Sequence, residues 1–217
     1  EYRTINSAKI AEPSRNLVDT VNLMTDIQEW MVEYVVENGQ EELEYVGSAT
    51  GETQVLSVAE DIRKKLDIQV DWYSDRQNAG ESFRFLKRRM GNIHVLVMTS
   101  GIVGNNTRRK LNVEEFRAFT LVNKYAPLIF INSCDSDYGK LFSILHELAH
   151  VWTGENSFYN APINADSESR EVEKFCNAVA AEILVPTESF LEKWKSSYDE
   201  ILDKIGKIAK SFRCSRF

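Results

Sequence analysis

Two histidines four residues apart, with a glutamate directly after the first, are the groups in this sequence best suited to chemistry: His146-Glu147-Leu-Ala-His150. On a helix, residues four apart lie on one face, so both imidazoles can reach one metal ion. Glu147 then lies beside the ion, where its carboxylate can take a proton from a metal-bound water. Zinc lowers the pKa of such a water to about 7 and polarises the scissile carbonyl. Glu147 would return the proton to the leaving amine, so the motif predicts a zinc-dependent hydrolytic site.

A catalytic zinc site of this kind needs a third protein ligand. His94 is the only other histidine, and a lone histidine within an apolar run is more often a packing residue than a ligand. A carboxylate is favoured, since two histidines and a glutamate form an established catalytic zinc set. The helix predicted at 167–184 offers four candidates, which the residues alone leave open: Glu168, Glu171, Glu173 and Glu182. Glu173 shares its helical face with small residues that permit close helix packing: Asn177, Ala180 and Ala181.

Three stretches of the chain resemble the ImmA/IrrE family of metallo-endopeptidases. They are APLIFIN at 126–132, FSILHELAH at 142–150 and EKFCNAVAAEILVP at 173–186. In that family a hydrophobic strand precedes the zinc helix, and a later helix carries a glutamate four residues before an asparagine. The family's glutamate is the third zinc ligand, so the resemblance implies Glu173. Cys176 and Ser143 depart mildly from the family pattern, and neither is a proposed ligand.

The same resemblance implies a cellular setting. Family members act in the cytoplasm on repressor-type transcription factors, so we expect a protein substrate, namely a helix-turn-helix repressor or antitoxin. The segments 101–107 and 114–119 are similar to the family branch fused to a helix-turn-helix domain. That domain would bind DNA, and we expect it to be missing from this chain, which starts without Met. Zinc is the expected metal, with manganese as the other metal considered.

Peptide binding and oxyanion stabilisation are less sharply indicated. Zinc peptidases commonly hold a substrate segment as an added strand, and the run 128–132 is the strand expected to offer that edge, through Ile129, Ile131 and Asn132. Three residues are candidates for stabilising the oxyanion: Tyr138, Tyr159 and Arg170. Residues of these types are more often ordinary surface or packing residues.

The alternative to an enzyme is a non-catalytic metal-binding module that regulates a repressor partner. Glu147 favours the enzyme, because a purely structural site needs no base and usually fills its fourth coordination position with protein.

Composition excludes several other classes of protein. The chain of 217 residues has a formal net charge of −7, which disfavours general nucleic-acid binding by this part of the protein. Its three cysteines show no CxxC spacing, which argues against a disulfide framework. No signal sequence or membrane-length apolar stretch is found, so we expect neither secretion nor a membrane partner, and a cytoplasmic location.

The elements that must position the site predict an α+β fold. We expect a zincin-like domain whose small, mostly antiparallel sheet packs on helices, preceded by a helical segment. The predicted segments are an N-terminal helical connector at 1–54, the zincin-like metallopeptidase domain at 55–195 and a C-terminal helical segment at 196–217, which we expect to be truncated. Hydrophobic periodicity predicts helices near 13–38, 55–66, 83–90, 139–153, 167–184, 187–195 and 201–212. It predicts strands at 68–72, 93–98, 119–122 and 128–132, the last two as a hairpin, with a loop at 99–112.

Overall fold

A computed structural model describes residues 13–49, 53–157, 167–196 and 200–214, with side chains for all of these except 167–169. Seven helices lie in these ranges: α1 (Arg15–Glu37), α2 (Val55–Leu66), α3 (Ala79–Asn92), α4 (Asp137–Thr153), α5 (Ser167–Leu184), α6 (Thr187–Ser196) and α7 (Ile201–Ser211). The same ranges hold five strands: β1 (Leu96–Ser100), β2 (Ile102–Val103), β3 (Asn106–Lys110), β4 (Ala118–Leu121) and β5 (Leu128–Asn132). The predicted α+β architecture is confirmed.

The main sheet has three strands in the order β1-β5-β4. β1 runs parallel to β5, whereas β4 and β5 form the predicted antiparallel hairpin. β5 is therefore the central strand, and all five of its residues are buried. The prediction that Ile129, Ile131 and Asn132 offer a free edge to substrate is wrong, because β1 and β4 already pair with both sides of this strand. The Asn132 side chain instead donates to the Phe116 carbonyl at 3.1 Å.

Side chains alternate across this sheet and divide the protein into three layers. One face carries four buried residues that pack with α1: Phe119, Leu121, Leu128 and Phe130. The opposite face carries Ala118, Ile129 and Ile131, which join the larger core that contains α3, α4 and α5. The same alternation turns the side chain of Thr120, on β4, toward α4.

Helix α1 covers the first face of the sheet. Ser14 caps its N-terminus by accepting a hydrogen bond from the Leu17 backbone N–H at 3.2 Å. Gln28, a polar residue on the buried face of α1, donates through its amide nitrogen to two carbonyls of the hairpin, those of Leu121 and Ala126, each at 2.8 Å. These bonds fix α1 against β4 and β5.

Helix α4 has defined ends. The Ser136 hydroxyl accepts from the Gly139 backbone N–H at 3.0 Å, and Gly154 ends the helix in the left-handed region with φ 76°. A Cβ on Gly154 would lie 2.9 Å from the Cα of Gly47. The Gly47 backbone N–H donates a hydrogen bond to the Val151 carbonyl at 3.0 Å, so the chain at Gly47 lies against the C-terminal end of α4. This contact fixes the position of the helix that carries the histidines.

Two predicted elements differ from the structure. Residues 68–72 form no strand and lead into turns: Ile68 and Trp72 are buried, but Val70 between them is 49% exposed, so the three apolar side chains do not share one buried face. The Trp72 indole N–H donates to the Ile183 carbonyl at 3.1 Å, which explains its burial. The predicted loop at 99–112 contains the β2–β3 hairpin. β3 is polar and largely exposed, so it has no apolar pattern to reveal it.

In the described structure, residues from all three predicted segments pack into one hydrophobic core. Tyr45 and Val46 from the first segment, and Ile208 and Phe212 from the last, belong to the same hydrophobic cluster as α4 and α5. The boundaries at 54 and 195 remain predictions. Among the described helices, none has the length and apolar character required to cross a bilayer.

Candidate metal centre

Helix α4 brings the two motif histidines together, as their spacing predicts. The Nε2 atoms of His146 and His150 lie 3.2 Å apart, and each residue is 2% exposed. Their Nδ1 atoms are buried without a hydrogen-bond partner among the described residues. Helix α5 packs against α4 and contributes the next member of the cluster.

Glu173 on α5 supplies the third group. Its two carboxylate oxygens lie 3.4 Å from His146 Nε2 and 3.2 Å from His150 Nε2. The Glu173 side chain keeps 22% of its surface exposed, so solvent reaches the cluster from this side. Of the three candidate glutamates whose side chains are described, Glu173 is the one that the structure brings to both histidines.

The other candidate ligands with described side chains take no part in the cluster. Glu182 pairs with Arg63 at 3.6 Å and accepts from the Thr187 hydroxyl at 2.6 Å. Glu171 is exposed, and the side chain of Glu168 lies outside the described residues. His94 is exposed and has φ 65°, just before β1, so it takes no part in the cluster.

The donor geometry fits a tetrahedral metal ion. Ligands at about 2.0–2.1 Å from a tetrahedral zinc ion lie about 3.3 Å from one another. The two Nε2 atoms lie 3.2 Å apart, and each is close to a different oxygen of Glu173: His150 Nε2 lies 3.2 Å from Oε1 and His146 Nε2 lies 3.4 Å from Oε2. These are the only three residues in the described part of the chain that form such a group of potential ligands. Two imidazoles and one carboxylate would leave a fourth position for water or substrate.

The histidines and the glutamate of the cluster shift each other's pKa values. Burial alone would lower the pKa of His150, but interactions with the Cys176 thiol and the Glu173 carboxylate outweigh it and raise the pKa to about 10. Burial would raise the pKa of Glu173, but hydrogen bonds from His146 and His150 hold it well below its ordinary value. The attraction between the Glu173 carboxylate and the histidines contributes to both shifts, and a bound cation would replace it.

Glu147 has a separate set of partners. It is 1% exposed, and its Oε2 atom accepts hydrogen bonds from the Thr120 hydroxyl at 2.7 Å and the Ser157 hydroxyl at 2.8 Å. Sequence reasoning missed Thr120 and Ser157. The alternation of β4 could have placed Thr120 on the α4 face, whereas nothing in the sequence around Ser157 marks it.

The oxyanion candidates remain without support from geometry. Tyr138 is 49% exposed at the start of α4, and Arg170 is exposed on α5. Tyr159 lies outside the described residues.

Comparison with known proteins adds one finding. The peptidase M78 family, described as the IrrE N-terminal-like domain, matches residues 94–217, which is more than half of the chain and includes the whole cluster. No curated protein matches the chain. The resemblance inferred from the motifs is thus confirmed, and the chain belongs to the IrrE N-terminal-like family of peptidases.

Proposed function

We propose that this protein is a metal-dependent endopeptidase that hydrolyses a peptide bond in a cytoplasmic helix-turn-helix repressor or antitoxin. Family membership indicates a metallopeptidase-like role. The observation that carries the proposal is the convergence of His146, His150 and Glu173 at tetrahedral spacing, with Glu147 on the same helix. Zinc is the metal we propose, because nitrogen and carboxylate ligands at this spacing suit it, with manganese as the second choice.

The residues of this chain divide the work of hydrolysis. His146, His150 and Glu173 would hold the ion. When bound, Zn²⁺ supplies a Lewis acid that polarises a peptide carbonyl and acidifies water. Glu147 accepts the proton of the attacking water and passes it to the amine that leaves. The Thr120 hydroxyl holds one oxygen of Glu147 in place throughout, so the carboxylate needs little reorganisation at the moment of reaction.

A substrate segment is best placed along β4. Its outer side is an edge of the three-stranded sheet, and Thr120 on this strand contacts the proposed base. An extended peptide can add to such an edge through backbone hydrogen bonds. The net charge of −7 supports a protein substrate over nucleic acid.

One observation favours the alternative, a metal-binding module without catalysis. Glu147 is almost fully buried, and two hydroxyls already donate to its Oε2 atom. A base in that state cannot reach water without a local rearrangement.

A cleavage assay separates the two functions. Purified protein loaded with Zn²⁺ or Mn²⁺ is incubated with the repressor encoded by the adjacent gene, and products are identified by mass spectrometry. We expect cleavage at one bond by the wild type, and loss of cleavage in Glu147→Gln with its metal content unchanged. Glu188→Gln, at an exposed helical position, is the matched control and should cleave normally. Cleavage by Glu147→Gln at the wild-type rate would reject Glu147 as the base, and metal binding without cleavage by the wild type would favour the regulatory module.

A further inference from the structure

The backbone of β4 presents its outward N–H groups at alternate residues. The Arg117 carbonyl accepts from the Asn132 N–H at 2.8 Å, which assigns residues 117, 119 and 121 to the ladder with β5. The backbone N–H groups of Thr120 and Val122 therefore point away from β5, along the open side of the strand. These are the groups that an added strand would use.

Both of these N–H groups are already bound by side chains that follow α4. The Ser157 hydroxyl oxygen accepts from the Thr120 N–H at 2.6 Å, and the amide oxygen of Asn156 accepts from the Val122 N–H. A peptide strand offers its outward carbonyls at every second residue. Two consecutive side chains here supply oxygen acceptors at the two positions where such carbonyls would lie.

Ser157 also connects this edge to the proposed base. The same hydroxyl that accepts from Thr120 donates to Glu147 Oε2 at 2.8 Å, and Ser157 is 2% exposed. The Ser157 hydroxyl thus hydrogen-bonds to both the backbone of β4 and the carboxylate of Glu147.

We propose that Asn156 and Ser157 stand in for the backbone carbonyls of a substrate, so that an extended peptide must displace them in order to pair with β4. The inference rests on the proposed function, since it takes β4 as the peptide-binding edge. Displacement removes the Ser157 hydroxyl from Glu147 while Thr120 continues to hold it. The contact keeps the base covered until a peptide of sufficient complementarity arrives, which fits a peptidase of narrow specificity.

The test compares two ligands of the zinc-loaded protein by calorimetry. Actinonin is a hydroxamate with a peptide-like backbone, whereas acetohydroxamate binds metal with no backbone to pair with a strand. In the Asn156→Ala/Ser157→Ala variant, we expect actinonin to bind about tenfold more tightly, because two competing acceptors are gone. Acetohydroxamate also binds beside Glu147, so any change in its affinity measures the loss of the Ser157 hydroxyl from that base, and the gain for actinonin should exceed it about tenfold. Asn38→Ala/Ser196→Ala removes the same residue types from exposed helix ends and should alter neither affinity.

The outcomes separate this inference from the proposed function. If acetohydroxamate binds neither protein, the metal centre fails, and the inference fails with it. If acetohydroxamate binds both equally and actinonin gains nothing, or if both ligands gain alike, the stand-in role alone is rejected.

A single exposed substitution covers the case in which loss of buried Ser157 prevents folding. Asn156→Ala should tighten actinonin binding about threefold, whereas Asn156→Asp, which keeps the acceptor oxygen, should not. Equal affinities for these two variants would also overturn the proposal.

Discussion

Replacement of Thr120 by valine tests whether this residue holds the base. Valine has nearly the same shape, so the change removes the hydroxyl that donates to Glu147 Oε2 at 2.7 Å and leaves the fully buried site filled. A hydrogen bond to a charged group contributes about 1.5–3 kcal/mol, so we expect the free energy of unfolding to fall by about 2 kcal/mol. For a chain of this size, that lowers the melting temperature by about 4–8 °C.

The same substitution should affect turnover more than substrate binding. A Glu147 carboxylate with one fixed donor fewer would adopt more orientations, and we expect kcat on the repressor to fall about tenfold, with KM little changed. Thr120→Ser is the matched control, because it keeps the hydroxyl and should restore most of kcat. Urea denaturation and cleavage kinetics supply both readings. A Thr120→Val protein as stable and as active as the wild type would show that the hydrogen bond to Glu147 has no role.

Four further changes probe the centre and its supports. Glu173→Ala should lose at least about tenfold in metal affinity, measured by competition with a chromophoric chelator, since one of three ligands is gone; unchanged affinity would exclude Glu173 as a ligand. In the metal-free protein, the pKa of His150 is raised from 6.5 to about 10, so its proton stabilises the fold below pH 6.5. The free energy of unfolding should therefore fall as the pH rises from 6.5 to 10, and a rise over that window in urea denaturation would contradict the assignment. Gly154→Ala should destabilise the protein by about 1–3 kcal/mol, because φ is 76° and the new Cβ would lie 2.9 Å from the Gly47 Cα; a neutral effect on the melting temperature would refute this close approach. Gln28→Leu should cost about 1–3 kcal/mol by the same assay, because the carbonyls of Leu121 and Ala126 would each lose the donor that the Gln28 amide supplies, and an equally stable variant would show that water replaces this donor.

The site was predictable from the sequence to the extent that it lies within one helix. The spacing of His146 and His150 fixes their shared face whatever surrounds them, and the caps at Ser136 and Gly154 mark the ends of that helix. Glu173 was different, because its distance to the histidines depends on how α5 packs on α4. Only the family resemblance, which carries that packing implicitly, singled it out from the other three glutamates.

Features set by contacts between distant residues were missed or misread. The apolar residues at 68–72 have the period of a strand, but residues 70–72 lie in turns. Trp72 is buried there because its indole N–H donates to the Ile183 carbonyl, which is distant in the sequence. The apolar run at 128–132 suits a strand at any position in a sheet, and burial does not settle the position, because the edge strand β4 is as fully buried as the central strand β5. Ser157 reaches Glu147 across ten residues through a turn that no local signal marks.

Diffraction at the zinc absorption edge, from crystals of the zinc-loaded protein, tests the central claim most directly. We predict one anomalous peak about 2.0–2.2 Å from His146 Nε2, His150 Nε2 and a carboxylate oxygen of Glu173, with a fourth position free of protein atoms. A peak elsewhere, no peak at this cluster, or a fourth protein ligand closing the site would contradict the account.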